Sequence, residues 1–196
     1  MTGARRFSQA ISEGDGISII VLVGDLGAAQ AAEDEGAEAL VLQAAVDGLP
    51  AATGLPLLSR QSSPDDARRA GADAWVLTVA PLEDEETELE RLYRDALGLG
   101  LDCVVEVHDE EELRLALERI DPEIFLLSGV AADTDDPALD RVLDLLPDVP
   151  AGKLAVAEVD IGGRADVEEL ERAGVDGLIV RAGNVAELVG GPPPEV

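Results

Sequence analysis

Very little in this sequence can support metal, disulfide or nucleic-acid chemistry. Its 196 residues hold one cysteine, Cys103, and one histidine, His108. A lone thiol forms no intrachain disulfide, and one Cys with one His cannot make a zinc cluster, so no metal site and no cofactor are expected. Lysine occurs once, at Lys153, and the 14 basic residues stand against 42 acidic ones for a formal net charge of -28. A surface of that sign repels DNA and RNA, which removes nucleic acid from the expected partners. No apolar run approaches the ~18 residues of a membrane span. The opening MTGARRFSQAIS lacks the apolar core of a signal peptide, so no membrane partner and a cytoplasmic location are expected.

Hydrophobic residues make up 46% of the chain and are spread along it, enough to build a core despite the charge. The expected organisation is one domain over 1–190 and a Pro-rich tail over 191–196. Lysine depletion, 2% aromatics and the acid excess together suit a halophile, whose molar salt screens self-repulsion within about 3 Å at 1 M. The expected sign is a denaturation midpoint that rises from dilute buffer to molar KCl.

Apolar runs and helical periods alternate from end to end. Phe7, Ala10 and Ile11 suit one or two helical turns, and Ile17 to Val23 reads as a strand buried on both faces. Asp25 caps a helix closed by Gly36; Ala39 to Leu42 is a strand, Ala44 to Ala52 a weak helix, and Leu55 to Ser59 a strand. Ser63-Pro64-Asp65-Asp66 has the cap, the proline and the acids of a helix start, and Gly71 ends that helix. Strands follow at Trp75 to Val79, Leu101 to Val105 running on through Glu106-Val107-His108, Ile124 to Ser128, Lys153 to Val159 and Leu178 to Val180. The helices after them are expected at Leu82 to Leu97, from Asp109, from Asp136, at Ala165 to Ala173 and at Val185 to Val189.

Eight strand-helix units, one per roughly 24 residues, with no edge strand and no long reversal, predict a compact (β/α)8 TIM barrel with shortened loops and helices. The junctions Glu35-Gly36-Ala37-Glu38, Ala70-Gly71-Ala72-Asp73 and Ala173-Gly174-Val175-Asp176 repeat a helix-ending glycine before a strand. In such a barrel ligands meet the carboxyl ends of the strands, which puts Arg60, Glu106, His108, Ser128, Glu158 and Arg181 in view. Asp109 to Glu112 are expected to cap the next helix and face water. His108 is expected to orient Glu106 or pack beneath the loop, without a nucleophilic triad.

The segment Val104-Val105-Glu106-Val107-His108-Asp109-Glu110-Glu111-Glu112-Leu113 resembles the LVEVHDEEEL segment of indole-3-glycerol-phosphate synthase, a (β/α)8 lyase of tryptophan biosynthesis. Gly71-Ala72-Asp73-Ala74 is similar to that family's GADAVLLI, Leu55-Pro56-Leu57-Leu58 to its PVL, and Ala157-Glu158 to its ESGI. The resemblance implies a decarboxylating, ring-closing lyase with Glu106 and Glu158 at the family's catalytic glutamates. Arg60 falls where the family has its principal acid, a lysine, and Ser128 where it has an asparagine.

Arginine binds anions well and is a poor proton donor. The family's strand-one glutamate and lysine fall at about Val21 and Val23. A phosphate cradle is expected from Gly162-Gly163 and Gly183-Asn184 at two helix starts, with Arg164 and Arg181 favouring it and Asp160 opposing it. The expected partner is therefore a phosphorylated small molecule, and the expected state a monomer or weak homo-oligomer. The alternative to a lyase is a non-catalytic paralogue with a structural, binding or regulatory role.

Overall fold

The computed structural model describes residues 6–13, 16–79, 86–129, 137–181 and 185–188. Eight parallel strands close into a barrel in sequence order. They are β1 Ser18–Val23, β2 Ala39–Leu42, β3 Leu57–Ser59, β4 Ala74–Thr78, β5 Asp102–Val107, β6 Ile124–Ser128, β7 Leu154–Glu158 and β8 Gly177–Arg181. The barrel closes where Ser18 to Leu22 pair with Gly177 to Arg181. Around it run α1 Arg6–Ser12, α2 Leu26–Asp34, α3 Leu49–Ala52, α4 Pro64–Arg69, α5 Glu86–Gly98, α6 Glu110–Arg119, α7 Ala138–Leu145, α8 Arg164–Ala173 and α9 Val185–Leu188. The (β/α)8 expectation holds, and the short strands and helices account for the small size. No helix among the described residues is long and apolar enough to cross a membrane.

Alternation along each strand divides the apolar residues into two clusters. Outward residues such as Val21, Val23, Leu40, Leu42, Val105, Val107 and Leu127 pack under the helices. Inward residues Ile20, Val41, Leu58, Val76, Val104, Leu126, Val156 and Ile179, one from each strand, fill the barrel. Because side chains repeat every second residue, the next inward position on each strand lies at its carboxyl end. Those positions are Leu22, Gln43, Arg60, Thr78, Glu106, Ser128, Glu158 and Arg181. One period-2 step thus carries the chain from an apolar plug to a mostly polar ring.

The opposite end is closed by α1. Phe7 and Ile11, four residues apart on one helical face, join the interior cluster and are almost fully buried. The Ser8 N–H donates to Asp102 Oδ2 at 2.9 Å, and the Ser18 hydroxyl donates to the Ala10 carbonyl at 3.5 Å, tying the helix to the strand starts.

The recurring junctions serve the frame. Gly36, Gly71 and Gly174 have φ of 95°, 80° and 101°, which side-chain-bearing residues resist. At Gly71 a Cβ would also lie 2.6 Å from Pro50 Cγ. Two residues later, Asp73 Oδ2 accepts from the Leu57 N–H and Asp176 Oδ2 from the Ala155 N–H, so each aspartate bonds to the strand before its own. Burial pushes the Asp176 carboxyl up, with the Ala155 bond opposing it. Burial, and then the neighbouring Asp102 charge, push the Cys103 thiol up to about 12, consistent with an inert core thiol.

The expected helix over 44–52 contracts to Leu49–Ala52, because Gly48 at φ 80° forces a turn and Pro50 sits in the first helical positions. The first residues expected for the 82–97 helix, Asp136, Val189 and the 191–196 tail lie outside the described residues.

Candidate active site at the carboxyl end of the barrel

A cavity of about 740 Å³ opens over the polar ring. Leu22, Ile161, Ile179 and Leu188 contribute apolar wall, while Gln43, Arg60, Glu106, His108, Ser128 and Glu158 contribute polar groups. The expected site residues Glu106, Glu158, Arg60 and Ser128 are therefore brought together, on β5, β7, the end of β3 and β6.

Arg60 is the centre of this arrangement. Its Nη1 donates to Glu106 Oε1 at 3.1 Å and its Nη2 donates to Glu158 Oε2. The planar guanidinium presents separate N–H groups in a fixed fork, which lets one side chain bridge two carboxylates. Glu106 is also held by the Thr78 hydroxyl, which donates to Oε2 at 2.7 Å. Its side chain is 8% exposed against 23% for Glu158, so the second carboxylate is the looser partner. Burial raises the Glu158 carboxyl above its ordinary value; Glu106 and Asp160 push the same way, and Arg60 and Arg181 oppose them. A carboxyl so placed can carry a proton closer to neutrality than an exposed one.

The edge expected to hold phosphate has a different arrangement. Gly162 and Gly163 line the cavity ahead of α8, but the Gly162 N–H donates to Asp166 Oδ2 at 2.6 Å. The chain's own carboxylate thus engages one donor that an anion would need. Arg181 lies 3.9 Å from Asp160, with side chains 79% and 83% exposed, so the pair is a surface contact at the rim. Arg164 donates to Glu168 at 2.9 Å on the outside of α8. Gly183 and Asn184 lie outside the described residues.

Two features, at strand one and at Glu112, depart from the sequence reading, while Lys153 stays at the start of strand seven as expected. Val21 and Val23 point to the helices, and the strand-one residue in the cavity is Leu22, so that place is apolar. Lys153 sits before β7, at the far end of the barrel, where its Nζ donates to Asp121 Oδ1 at 2.7 Å. Glu112 does not face water: its side chain is 15% exposed and bonds to His108, a pairing whose only sequence signal is its four-residue spacing.

The fold and this acid-arginine mouth define a (β/α)8 barrel of the kind that binds ligands at its strand ends. Residues 60–184, more than half of the chain, match the family model of indole-3-glycerol phosphate synthase, and the chain belongs to that family. Among solved structures it is similar to an N-acetylmannosamine-6-phosphate 2-epimerase from Clostridium perfringens, at 14% identity with a TM-score of 0.69, covering 87% of each chain. It is also similar to a Burkholderia cenocepacia J2315 protein named as a phosphonomutase, at 17% identity and a TM-score of 0.61 over 91% of this chain and 92% of that one. At such identities these likenesses concern the fold alone.

Proposed function

We propose that this family member has left the ring-closing lyase reaction and that its mouth takes small, polar, unphosphorylated molecules. The observation that carries this reading is the position of the only lysine. Ring closure and dehydration need a strong proton donor at the reacting carbonyl, and Lys153 is tied to Asp121 at the opposite end of the barrel. Arg60 stands in the mouth instead, and arginine keeps its proton throughout catalysis. What remains is an anchor, Arg60, and two carboxylates, and burial raises the Glu158 carboxyl above its ordinary value.

The phosphate edge supports the second half of the reading. A phosphate at α8 would have to displace the Asp166 carboxylate from Gly162 and approach Asp160. At constant ionic strength, exchanging chloride for inorganic phosphate is expected to leave the thermal midpoint unchanged. A rise that saturates with phosphate would restore a phosphate cradle and remove this part of the proposal. A second reading, a barrel without catalysis and kept for a structural, binding or regulatory role, is favoured by the closure of Arg60 on both glutamates.

A further inference from the structure

The single histidine of this protein has a dedicated carboxylate partner. Glu112, in the first turn of α6, accepts through Oε2 from the His108 backbone N–H at 2.8 Å and lies 2.9 Å from His108 Nδ1. The carboxylate is itself fixed, because the Glu112 N–H donates to the Asp109 side chain that caps the helix, at 2.9 Å. An ionised carboxylate only accepts, so the ring proton belongs on Nδ1. Nε2 is then left with its lone pair, and no partner for it is found among the described residues. His108 lines the same cavity as Arg60, Glu106 and Glu158, and it also borders a groove carrying Asp109, Arg141 and Asp144.

We propose that His108 is a base of this mouth, with Glu112 as its positioning residue, and that the pair enolises small α-hydroxy carbonyl compounds. This rests on the reading of the mouth as a ligand site. Nε2 takes the proton from the carbon beside the carbonyl. The electrons of that C–H bond form the C=C bond, the carbonyl electrons move to oxygen, and that oxygen takes a proton from water in the open mouth. Reversal returns both protons, so no co-reactant is consumed. Glu112 lies against the imidazolium formed in the first half, the same division of labour as in a carboxylate-imidazole pair of a hydrolase.

A protein with one histidine gives one imidazole in its 15N spectrum, and the two ring nitrogens report which is protonated. In neutral form the ring is expected to be the Nδ1–H tautomer, and Glu112→Gln is expected to remove that preference. Deuterium uptake at carbon from D2O, followed by proton NMR on dihydroxyacetone in molar KCl, reads the reaction itself. Wild type is expected to accelerate uptake, and His108→Gln to lose that acceleration by about 10²-fold. Glu112→Asp should retain more of it than Glu112→Gln, while the exposed neighbour change Glu111→Gln leaves it intact. An Nε2–H tautomer in the wild type, or uptake equal in wild type and His108→Gln, overturns the proposal. Turnover of the family's lyase substrate would instead overturn the reading of the mouth and leave the tautomer result standing.

Discussion

Phe7→Ala is expected to lower the free energy of unfolding by about 3–5 kcal/mol, the cost of emptying a buried aromatic site. Phe7 is fully buried in the interior cluster, yet it comes from α1 and not from a strand. The barrel floor around it is made partly of small residues, with Ala39 and Ala74 facing inward and Gly177 at the start of β8. A closed ring of strand hydrogen bonds holds its radius, so neighbours cannot collapse into the space that phenylalanine leaves. Phe7→Leu should retain most of the stability, since it refills much of the volume with apolar atoms. Denaturant unfolding at one fixed molar KCl concentration measures both. A loss under about 1 kcal/mol for the alanine variant would mean that α1 is not seated in the barrel.

Arg60→Met is expected to cost about 3 kcal/mol near neutral pH, toward the low end for breaking a buried ion pair because Glu158 retains some contact with water. The change leaves Glu106 and Glu158 without their shared counter-charge, and one carboxyl must then bind a proton or move outward. The penalty should therefore shrink as pH falls. Adding Glu158→Gln to Arg60→Met should recover more than half of the loss, because the remaining carboxylate still has the Thr78 hydroxyl. Additive losses in the double variant would contradict this coupling.

The same site sets a pH dependence in the unaltered protein. The folded-state pKa of Glu158 is raised above its ordinary value, so the folded form binds the extra proton. Its contribution to stability is fully present below the unfolded carboxyl value of 4.5 and is lost as pH rises through the raised value.

How legible the chain was follows from the range of each interaction. Strands buried on both faces read as apolar runs, so Ala39–Leu42 and Ile124–Ser128 emerge from the sequence with the bounds they have in the structure. Local capping is equally plain: Asp25, Ser63 and Asp109 each accept from the third backbone N–H beyond them. Face assignment is more fragile, because a one-residue slip turns every side chain over. The family's strand-one residues match at about Val21 and Val23, and Leu22 between them is the residue that lines the cavity.

The site was legible as a set of strand-end residues and illegible as a network. Arg60 reaches glutamates 46 and 98 residues away, and no local pattern records such pairings. His108 with Glu112 did leave a local trace, its i,i+4 spacing, but an acidic run after a helix cap has the same appearance when it faces water. The repeated glycine junctions were visible as a period. Their aspartates bond to adjacent strands, which only the folded barrel discloses.

Indole fluorescence during incubation with carboxyphenylamino deoxyribulose phosphate in molar KCl tests the central claim most directly. The expected result is no product above the protein-free reaction, since the mouth holds Arg60 and no lysine. Product formed by the wild-type protein and abolished by Glu106→Gln would contradict it, and would return this barrel to the lyase chemistry of its family.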